Sequence, residues 1–98
     1  VDLEKERPKI QTIAPKFLHP SECALLSSDR MLTTSWCIKE AAYKLIAQKG
    51  LSFLNHIRIA KSQSDHLVST VQTAAGFVIL KNWVYHWPNY SCALALKK

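Results

Sequence analysis

The spacing of apolar residues changes at Gly50, and this change constrains the fold more than any other feature of the sequence. Upstream of Gly50, apolar residues recur every three or four positions, which is typical of helices with one buried face. Downstream, apolar and polar residues alternate, which is typical of strands with one buried face. Helices followed by a run of strands favour an α+β fold, with the helices packed on an antiparallel sheet. We therefore predict one α+β domain over residues 1–98, with three helices, the third of them long.

The three helices are predicted from their capping residues. The first begins at Thr12 and the second at Ser21, because a hydroxyl at the N-cap can accept a hydrogen bond from the first turn. The third has the polar residues 27–29 as candidate caps, runs from about residue 30 to residue 48, and ends with Gly50 at the C′ position. This third helix is the longest element predicted in the first half.

The second half predicts four strands, after a short opening strand that ends before Pro8. The alternating patterns lie at residues 56–60, 67–72, 77–86 and 90–96. Polar residues 62–65 predict one turn, and Pro88-Asn89 predicts a tight turn between two aromatic strands. No internal repeat or linker indicates a second domain.

The chain carries a formal net charge of +6, with its lysines and arginines spread along the whole sequence. Nucleic-acid-binding proteins concentrate their cations on one face or along one helix, so this function is not favoured. A phosphate-rich small molecule or an acidic partner protein would be attracted by the same charge.

The three cysteines lie far apart and form no CxxC pair, which argues against a thiolate metal site and against a disulfide framework. A reducing environment fits this use of cysteine best. No apolar run approaches the roughly 20 residues that a membrane-spanning helix needs. We therefore expect a cytoplasmic protein with no membrane partner.

The long helix has two contrasting faces. At about 100° per residue, one stripe is apolar and is assigned to the core: Ile38, Ala41, Ala42, Leu45 and Ile46. The opposite side combines aromatic and charged residues: Trp36, Glu40, Tyr43 and Lys44. An exposed Glu–Lys pair four residues apart is common and contributes only about 0.2–0.5 kcal/mol. The neighbouring aromatic residues favour a covered face instead, under a ligand or another part of the protein.

Two segments resemble the hallmark motifs of the 4′-phosphopantetheinyl transferase superfamily. The opening VDLE, residues 1–4, is similar to the acidic strand end G-(I/V)-D-(I/L)-E, whose glycine would precede this chain. The segment WCIKEAAYK, residues 36–44, matches every fixed position of the helix motif (W/F)-x-x-K-E-A-x-x-K. Residues 13–22 are similar to the stretch between the two motifs in the family. The resemblance covers essentially the whole chain.

The resemblance implies an activity and a site. The activity is the Mg²⁺-dependent transfer of the 4′-phosphopantetheine arm of coenzyme A to a serine of an acyl or peptidyl carrier protein, which releases 3′,5′-ADP. Asp2, Glu4 and Glu40 would hold the metal ion. Glu40 would also take the proton of the serine, and Lys44 would contact a phosphate. Lys39 matches the motif as a secondary cofactor contact.

The residue types suit this chemistry. Mg²⁺ prefers oxygen ligands and is usually bound by one or two carboxylates together with phosphate oxygens. Asp2 and Glu4 are two residues apart, so they are expected on the same side of a strand, and Glu40 would approach from the helix. Lys39 lies about 100° around the helix from Glu40, which is why it ranks second.

Within the superfamily, the chain resembles the C-terminal half of the long, surfactin-synthetase-activating type, which contains two similar halves. An N-terminal half of the same polypeptide, or an oligomer partner, would supply further contacts to coenzyme A. The alternative is a non-catalytic module of the same fold that binds coenzyme A or oligomerises. A basic nucleic-acid binder is a distant third hypothesis.

Other reactive residues have structural interpretations. Cys37 has no base nearby in the sequence and is expected to pack in the interior. The histidines show no metal-ligand spacing: His19, His56, His66 and His86. Three aromatic residues that alternate on one strand are expected to pack in the core or against another half of the protein: Trp83, Tyr85 and Trp87.

Overall fold

The computed structural model describes residues 1–7, 9–23, 28–60 and 66–98. Its helices are short except for the third: α1 Ile10–Ile13, α2 Pro20–Cys23, α3 Asp29–Ile46 and α4 Phe53–His56, with a 3₁₀ turn at Ala14–Lys16. Its strands are β1 Asp2–Lys5, β2 Ile57–Ala60, β3 Leu67–Thr73, β4 Gly76–Trp87 and β5 Tyr90–Lys97. The turn predicted at residues 62–65 lies outside the described residues.

The strands form one five-stranded antiparallel sheet in the order β1-β5-β4-β3-β2. Strands β2 to β5 follow one another as a meander, and β1 joins the sheet beside β5. The tight turn before β5 places Asn89 in the left-handed conformation, at φ 68°, which asparagine adopts more readily than most residues. The prediction of an α+β fold with an antiparallel sheet is confirmed, and the predicted strand ends of the second half agree within one residue.

Helix α3 begins as predicted but ends earlier. Ser28 caps it, because its Oγ accepts a hydrogen bond from the Met31 N–H at 3.1 Å. Ala47 adopts a left-handed conformation, at φ 55°, and its N–H donates to the Tyr43 carbonyl, so the helix stops there. The predicted end at Gly50 is wrong, since Gly50, at φ 82°, shapes the following turn instead.

Two of the predicted caps are wrong. Helix α1 begins at Ile10 rather than Thr12, because the chain already turns at Arg7, whose carbonyl accepts from the Ile10 N–H. Ser21 lies inside α2, where its hydroxyl is hydrogen-bonded to His19. Helix α4 has no counterpart among the predictions, since a single turn is too short to show a periodic pattern.

Helix α3 packs on one face of the sheet, which we call the inner face. The buried cluster between them contains Cys37, Ile38, Ala41, Ala42, Leu51, Ile57, Val71, Leu80, Ala93 and Ala95. A second cluster joins the short N-terminal helices to α3: Ile10, Ala14, Phe17, Leu18 and Leu32. Leu45 was assigned to the core but is 37% exposed. The buried stripe runs through Thr34, Cys37 and Ala41, and Leu45 continues it by one turn, but Leu45 lies in the last turn of α3 and is covered less completely.

The other face of the sheet, which we call the outer apolar face, is exposed. On β4 the buried Leu80 and Asn82 point inward and alternate with residues that point outward. Large exposed apolar side chains lie on this face: Leu3, Phe77, Ile79, Tyr85, Trp87, Tyr90 and Leu96. Tyr85 and Trp87 therefore do not pack in the core of this chain. A sheet face with this many large exposed apolar side chains is typical of an interaction site.

Candidate active site

Strand β1 turns two carboxylates toward α3. Asp2 is buried, Leu3 is exposed and Glu4 is half-buried, so the side chains alternate as they do in any strand. The two acids lie opposite Ala93 and Ser91 of β5. Asp2 and Glu4 therefore share the inner face of the sheet, as the spacing in the sequence predicts.

Lys44 and Asp2 form the ion pair at the centre of this site. Lys44 Nζ lies 2.8 Å from Asp2 Oδ1. The Lys44 side chain is 53% exposed and the Asp2 side chain 6% exposed, so a buried anion meets a cation that reaches solvent. The hydrogen bond to Asp2 raises the pKa of Lys44. The second oxygen of Asp2, Oδ2, is buried and accepts no hydrogen bond of good geometry, although the weakly donating Cys37 thiol interacts with this carboxylate. A bound cation is one way to satisfy such an atom.

Glu40 and Glu4 lie close enough to Asp2 for their charges to interact. Burial raises the pKa of Glu40 and the Asp2 carboxylate raises it further, against the opposing effect of Lys44. Burial also raises the pKa of Glu4, and the Asp2 and Glu40 carboxylates add to that shift. Each carboxylate disfavours ionisation of its neighbours. The space between β1 and α3 therefore carries an excess of negative charge that attracts a cation.

These carboxylates do not by themselves form a complete metal site. Within the part of the chain that the structure describes, no three His, Cys, Asp or Glu side chains are grouped so that they could hold a metal ion. Mg²⁺ is usually held by one or two carboxylates, with substrate phosphates and water as the other ligands. The unpartnered Asp2 Oδ2 and the neighbouring Glu40 fit that smaller requirement.

Trp36 lies on the aromatic side of the site. It packs between Phe17 and Phe53, with ring centroids 5.2 Å and 5.1 Å away. We call these three residues the aromatic wall. A side-chain hydrogen bond between Trp36 and Glu4 favours the ionised carboxylate and opposes the rise in the pKa of Glu4. Tyr43 contacts Phe53 at 5.6 Å between ring centroids, so the aromatic residues of α3 are partly covered by the chain itself.

Two adjoining cavities lead away from the site and share Ile13 and Trp36 in their linings. One, of about 170 Å³, brings charged residues together beside the carboxylates: Glu4, Lys5, Arg7 and Lys9. The other, of about 370 Å³, is an apolar groove along the aromatic wall, with Lys16 also in its lining. A basic surface and an apolar surface thus flank the acidic site.

Lys39 lies in the interior instead of at the site. Its side chain is 0% exposed and its Nζ lies 2.9 Å from Glu22 Oε1. The same Nζ donates to the carbonyls of Phe17 and Phe53. This burial argues against the predicted cofactor contact. Glu22 was not among the predicted site residues, and its only signal in the sequence was its position in the family-like stretch of residues 13–22.

Cys37 packs in the interior, as expected. It is fully buried, and its thiol donates to the Ser91 carbonyl at 3.3 Å. Burial raises the pKa of this thiol, and the charges of Asp2 and Glu4 raise it further, so the reactive thiolate is disfavoured. Three histidines make hydrogen bonds that agree with a structural role. His19 and His56 bond to the nearby Ser21 and Ser52, and His86 on β4 bonds to Thr34 on α3.

A family comparison agrees with the two motifs. The family model that matches residues 1–95 describes the 4′-phosphopantetheinyl transferase superfamily. The chain belongs to this superfamily. The resemblance drawn from the sequence is therefore confirmed, and phosphopantetheinyl transfer, with coenzyme A as a substrate and a carrier protein as the acceptor, is the activity at the level of the superfamily.

Other comparisons add nothing to the phosphopantetheinyl transferase assignment. No curated protein and no solved structure matches the chain. None of the described helices has the length and apolar character needed to cross a membrane. The two-half subtype stays a prediction.

Proposed function

We propose that this phosphopantetheinyl transferase domain moves the 4′-phosphopantetheine arm of coenzyme A to a serine of an acyl or peptidyl carrier protein, in a reaction that requires Mg²⁺. The observation that supports this most directly is the state of the Asp2 carboxylate. Asp2 is buried, bound on one oxygen by Lys44 and unpartnered on the other, and Glu40 lies within range of its charge. Buried negative charge beside a solvent-reaching cation suits a site for a metal ion and a phosphate.

Each residue has its own role in the proposed reaction. Asp2 and Glu40 would hold Mg²⁺ together with phosphate oxygens, and Glu4 would join them once the ion drew its side chain in. The bound ion would neutralise charge on the pyrophosphate as a phosphoanhydride bond breaks. The serine oxygen forms a bond to phosphorus, and 3′,5′-ADP leaves with the electron pair of the broken bond. The serine proton passes to Glu40, directly or through a water. Because the pKa of Glu40 is raised, its carboxylate is a better base than an exposed glutamate.

Lys44 has the complementary role in this proposal. It stands one turn beyond Glu40 on α3, and its side chain is 53% exposed. An ammonium that is held by Asp2 and still reaches solvent can donate a further hydrogen bond to a phosphate oxygen. Lys44 would therefore contact the phosphate, while Lys39 has no part in binding the cofactor.

We also propose that a further protein layer covers the outer apolar face in the active assembly. The layer would be an N-terminal half of the same polypeptide or a second subunit. A cavity of about 270 Å³ on this face is lined by Leu3, Trp87 and Tyr90. Leu3 lies between the two acids of β1 but points to the opposite face of the sheet, so a layer bound there would contact the strand that carries them. The cytoplasmic location stays a prediction.

The alternative function is a non-catalytic module of the same fold, which binds coenzyme A or assembles without transfer. Two observations favour it: the described carboxylates form no complete metal site, and the outer apolar face is exposed. The two functions differ in one measurable step, which is the formation of the bond between phosphorus and the carrier serine.

A transfer assay tests the proposal, with a fluorescent coenzyme A analogue and an apo carrier protein in the presence of Mg²⁺ or of a chelator. Glu40→Gln and Asp2→Ala are each expected to reduce transfer by about 100-fold or more. Glu6→Gln is the matched control, because Glu6 belongs to the same segment but pairs with Arg30 at 3.7 Å instead of Lys44. The control is expected to keep its activity.

The same assay separates the hypotheses. If transfer survives both Glu40→Gln and Asp2→Ala, the assigned carboxylates are wrong. If calorimetry detects coenzyme A binding and the protein transfers nothing, the non-catalytic alternative replaces the proposal. A gel-shift experiment at low salt addresses the nucleic-acid hypothesis, which requires strongly salt-dependent binding.

A further inference from the structure

We infer that the buried Lys39–Glu22 ion pair positions the aromatic wall, and that the rate of transfer depends on this positioning. The inference rests on the proposed function, because the wall borders the same carboxylates. Lys39 and Glu22 touch no group that reacts, so we treat them as positioning residues.

The ion pair is fully enclosed by the chain. The side chains of Lys39 and Glu22 are 0% and 3% exposed. Glu22 Oε1 also accepts from the His19 N–H and Oε2 accepts from the Ile59 N–H, both at 2.8 Å. A buried ion pair is on average no more stabilising than well-packed apolar residues of the same volume. A charged pair in this place therefore calls for a role other than bulk stability.

That role follows from the carbonyl groups that Lys39 holds. Its Nζ donates to the Phe17 carbonyl at 2.7 Å and to the Phe53 carbonyl at 2.8 Å. The rings of these two residues pack on either side of Trp36. Trp36 precedes Lys39 by three positions on α3, so both side chains project from neighbouring points of the helix. One ammonium group thus fixes the backbone on both sides of the Trp36 ring.

Trp36 transmits this order to the acidic site. Its side chain and that of Glu4, one of the proposed metal ligands, line the same cavity beside the site. The apolar groove beside the site is also formed by the aromatic wall. If the wall loosened, the Trp36 ring would shift in the cavity that it shares with Glu4, and displacements of about 1 Å at an active site can reduce a rate by about 100-fold.

The test removes both charges together in Lys39→Met/Glu22→Gln, because removing one partner would leave the other as an unpaired buried charge. Protein labelled with 5-fluorotryptophan gives one ¹⁹F resonance for each of its three tryptophans. The Trp36 resonance is assigned by its loss in Trp36→Phe. In the folded double variant this resonance is expected to shift or broaden, while the resonances of Trp83 and Trp87 stay in place.

Kinetics supply the second readout. The folded double variant is expected to lose about 10- to 100-fold in kcat, with the KM for coenzyme A unchanged within about twofold. Val71→Ala is the control for stability alone, because Val71 is fully buried on β3 and takes part in none of the hydrogen bonds described for Lys39 and Glu22. It is expected to lower the stability and to keep both the Trp36 resonance and the kcat of the folded protein.

Each outcome decides the inference. A folded double variant that keeps either the wild-type Trp36 resonance or the wild-type kcat overturns it. If the double variant does not fold, Lys39→Gln/Glu22→Gln replaces it, with the same expected changes, and failure of both to fold would show that the pair serves folding alone. Wild-type protein that transfers nothing refutes the proposed function instead, and the Trp36 resonance then decides whether the pair positions the wall.

Discussion

Two lysines of helix α3, five residues apart in the sequence, form ion pairs of opposite character. The Lys39–Glu22 pair has exposed fractions of 0% and 3% and an N–O distance of 2.9 Å. The Lys44–Asp2 pair has exposed fractions of 53% and 6% and an N–O distance of 2.8 Å. Because helix, charge type and distance are nearly the same, the surroundings alone distinguish the two pairs.

The difference lies in how completely each carboxylate is satisfied. Both oxygens of Glu22 accept hydrogen bonds from within the protein, from Lys39 and from two backbone N–H groups. Asp2 keeps one buried oxygen without a partner, and Lys44 remains within reach of solvent. A saturated ion pair holds segments of the chain together, whereas an unsaturated one retains the capacity to bind a ligand.

The largest expected difference between the two pairs is in stability. Lys39→Met is expected to lower the free energy of unfolding by about 3–5 kcal/mol, because it leaves the Glu22 carboxylate buried and unpaired. Lys44→Met is expected to lower it by about 1 kcal/mol, because removal of this half-exposed side chain lets water reach the Asp2 oxygen that it had bound. Urea denaturation measures both values, with the exposed Lys97→Met as a control near zero. Equal losses for Lys39 and Lys44 would break the comparison.

For the transfer reaction, substitution of Lys44 is expected to have the larger direct effect on the site. Lys44→Met is expected to reduce kcat/KM for transfer by about 100-fold, because the proposed phosphate contact is lost. Lys44→Arg keeps the charge and is expected to retain more activity than Lys44→Met. Steady-state transfer kinetics at a temperature where both variants are folded give the comparison. Unchanged kinetics in Lys44→Met would remove this lysine from the proposed site.

Salt is expected to change the coupling energies of the two ion pairs by different amounts, an effect smaller than the two above. A double-mutant cycle for Lys44 and Asp2 is expected to give a coupling energy of about 0.5 kcal/mol that decreases toward zero in about 0.5 M NaCl, because exposed charges are screened. The coupling between Lys39 and Glu22 is expected to change little, since ions do not reach the pair. The cycles are measured by denaturation at both salt concentrations. A salt-insensitive Lys44–Asp2 coupling would contradict the exposure seen for Lys44.

The smallest expected effect is a pH dependence of stability that arises from Glu40, beside the Lys44–Asp2 pair. The pKa of Glu40 is raised above its ordinary value of 4.5, by burial first and by Asp2 second. The folded state therefore binds this proton more tightly than the unfolded state, so the contribution of Glu40 favours folding at low pH and is lost as the pH rises through the raised pKa. Glu40→Gln removes this loss. The stability of Glu40→Gln relative to wild type should increase as the pH is raised from 4 to 7, and a decrease would reverse the assigned sign.

Most of the sheet could be predicted from the sequence because its signal is local. Alternation of apolar and polar residues located each strand of the second half within one residue. Ser28 was among the predicted caps of α3, since capping depends on neighbouring residues. The end of α3 was missed because the left-handed conformation falls on Ala47, a residue that gives no such signal. Glycine at position 50 made the later end more plausible.

The candidate site was predictable only in part. The two-residue spacing of Asp2 and Glu4 places them on one side of a strand, and the observed alternation agrees. The different surroundings of Lys39 and Lys44 were not predictable from the helix alone. The burial of Lys39 depends on Glu22 and on the carbonyl groups of Phe17 and Phe53, which lie in other segments of the chain. Helical periodicity carries no information about such tertiary partners.

Strand β1, which carries two of the three acids, is four residues long and lies at the edge of the sheet beside β5. Short edge segments detach from a fold at lower free energy than its interior strands do. A cation bound by Asp2 and Glu4 would therefore also keep this strand attached to the sheet. Part of the free energy of cation binding would offset the tendency of β1 to detach. Slower amide hydrogen exchange along Asp2–Lys5 on addition of Mg²⁺ and coenzyme A would therefore report how much of the site is occupied, without any measurement of transfer.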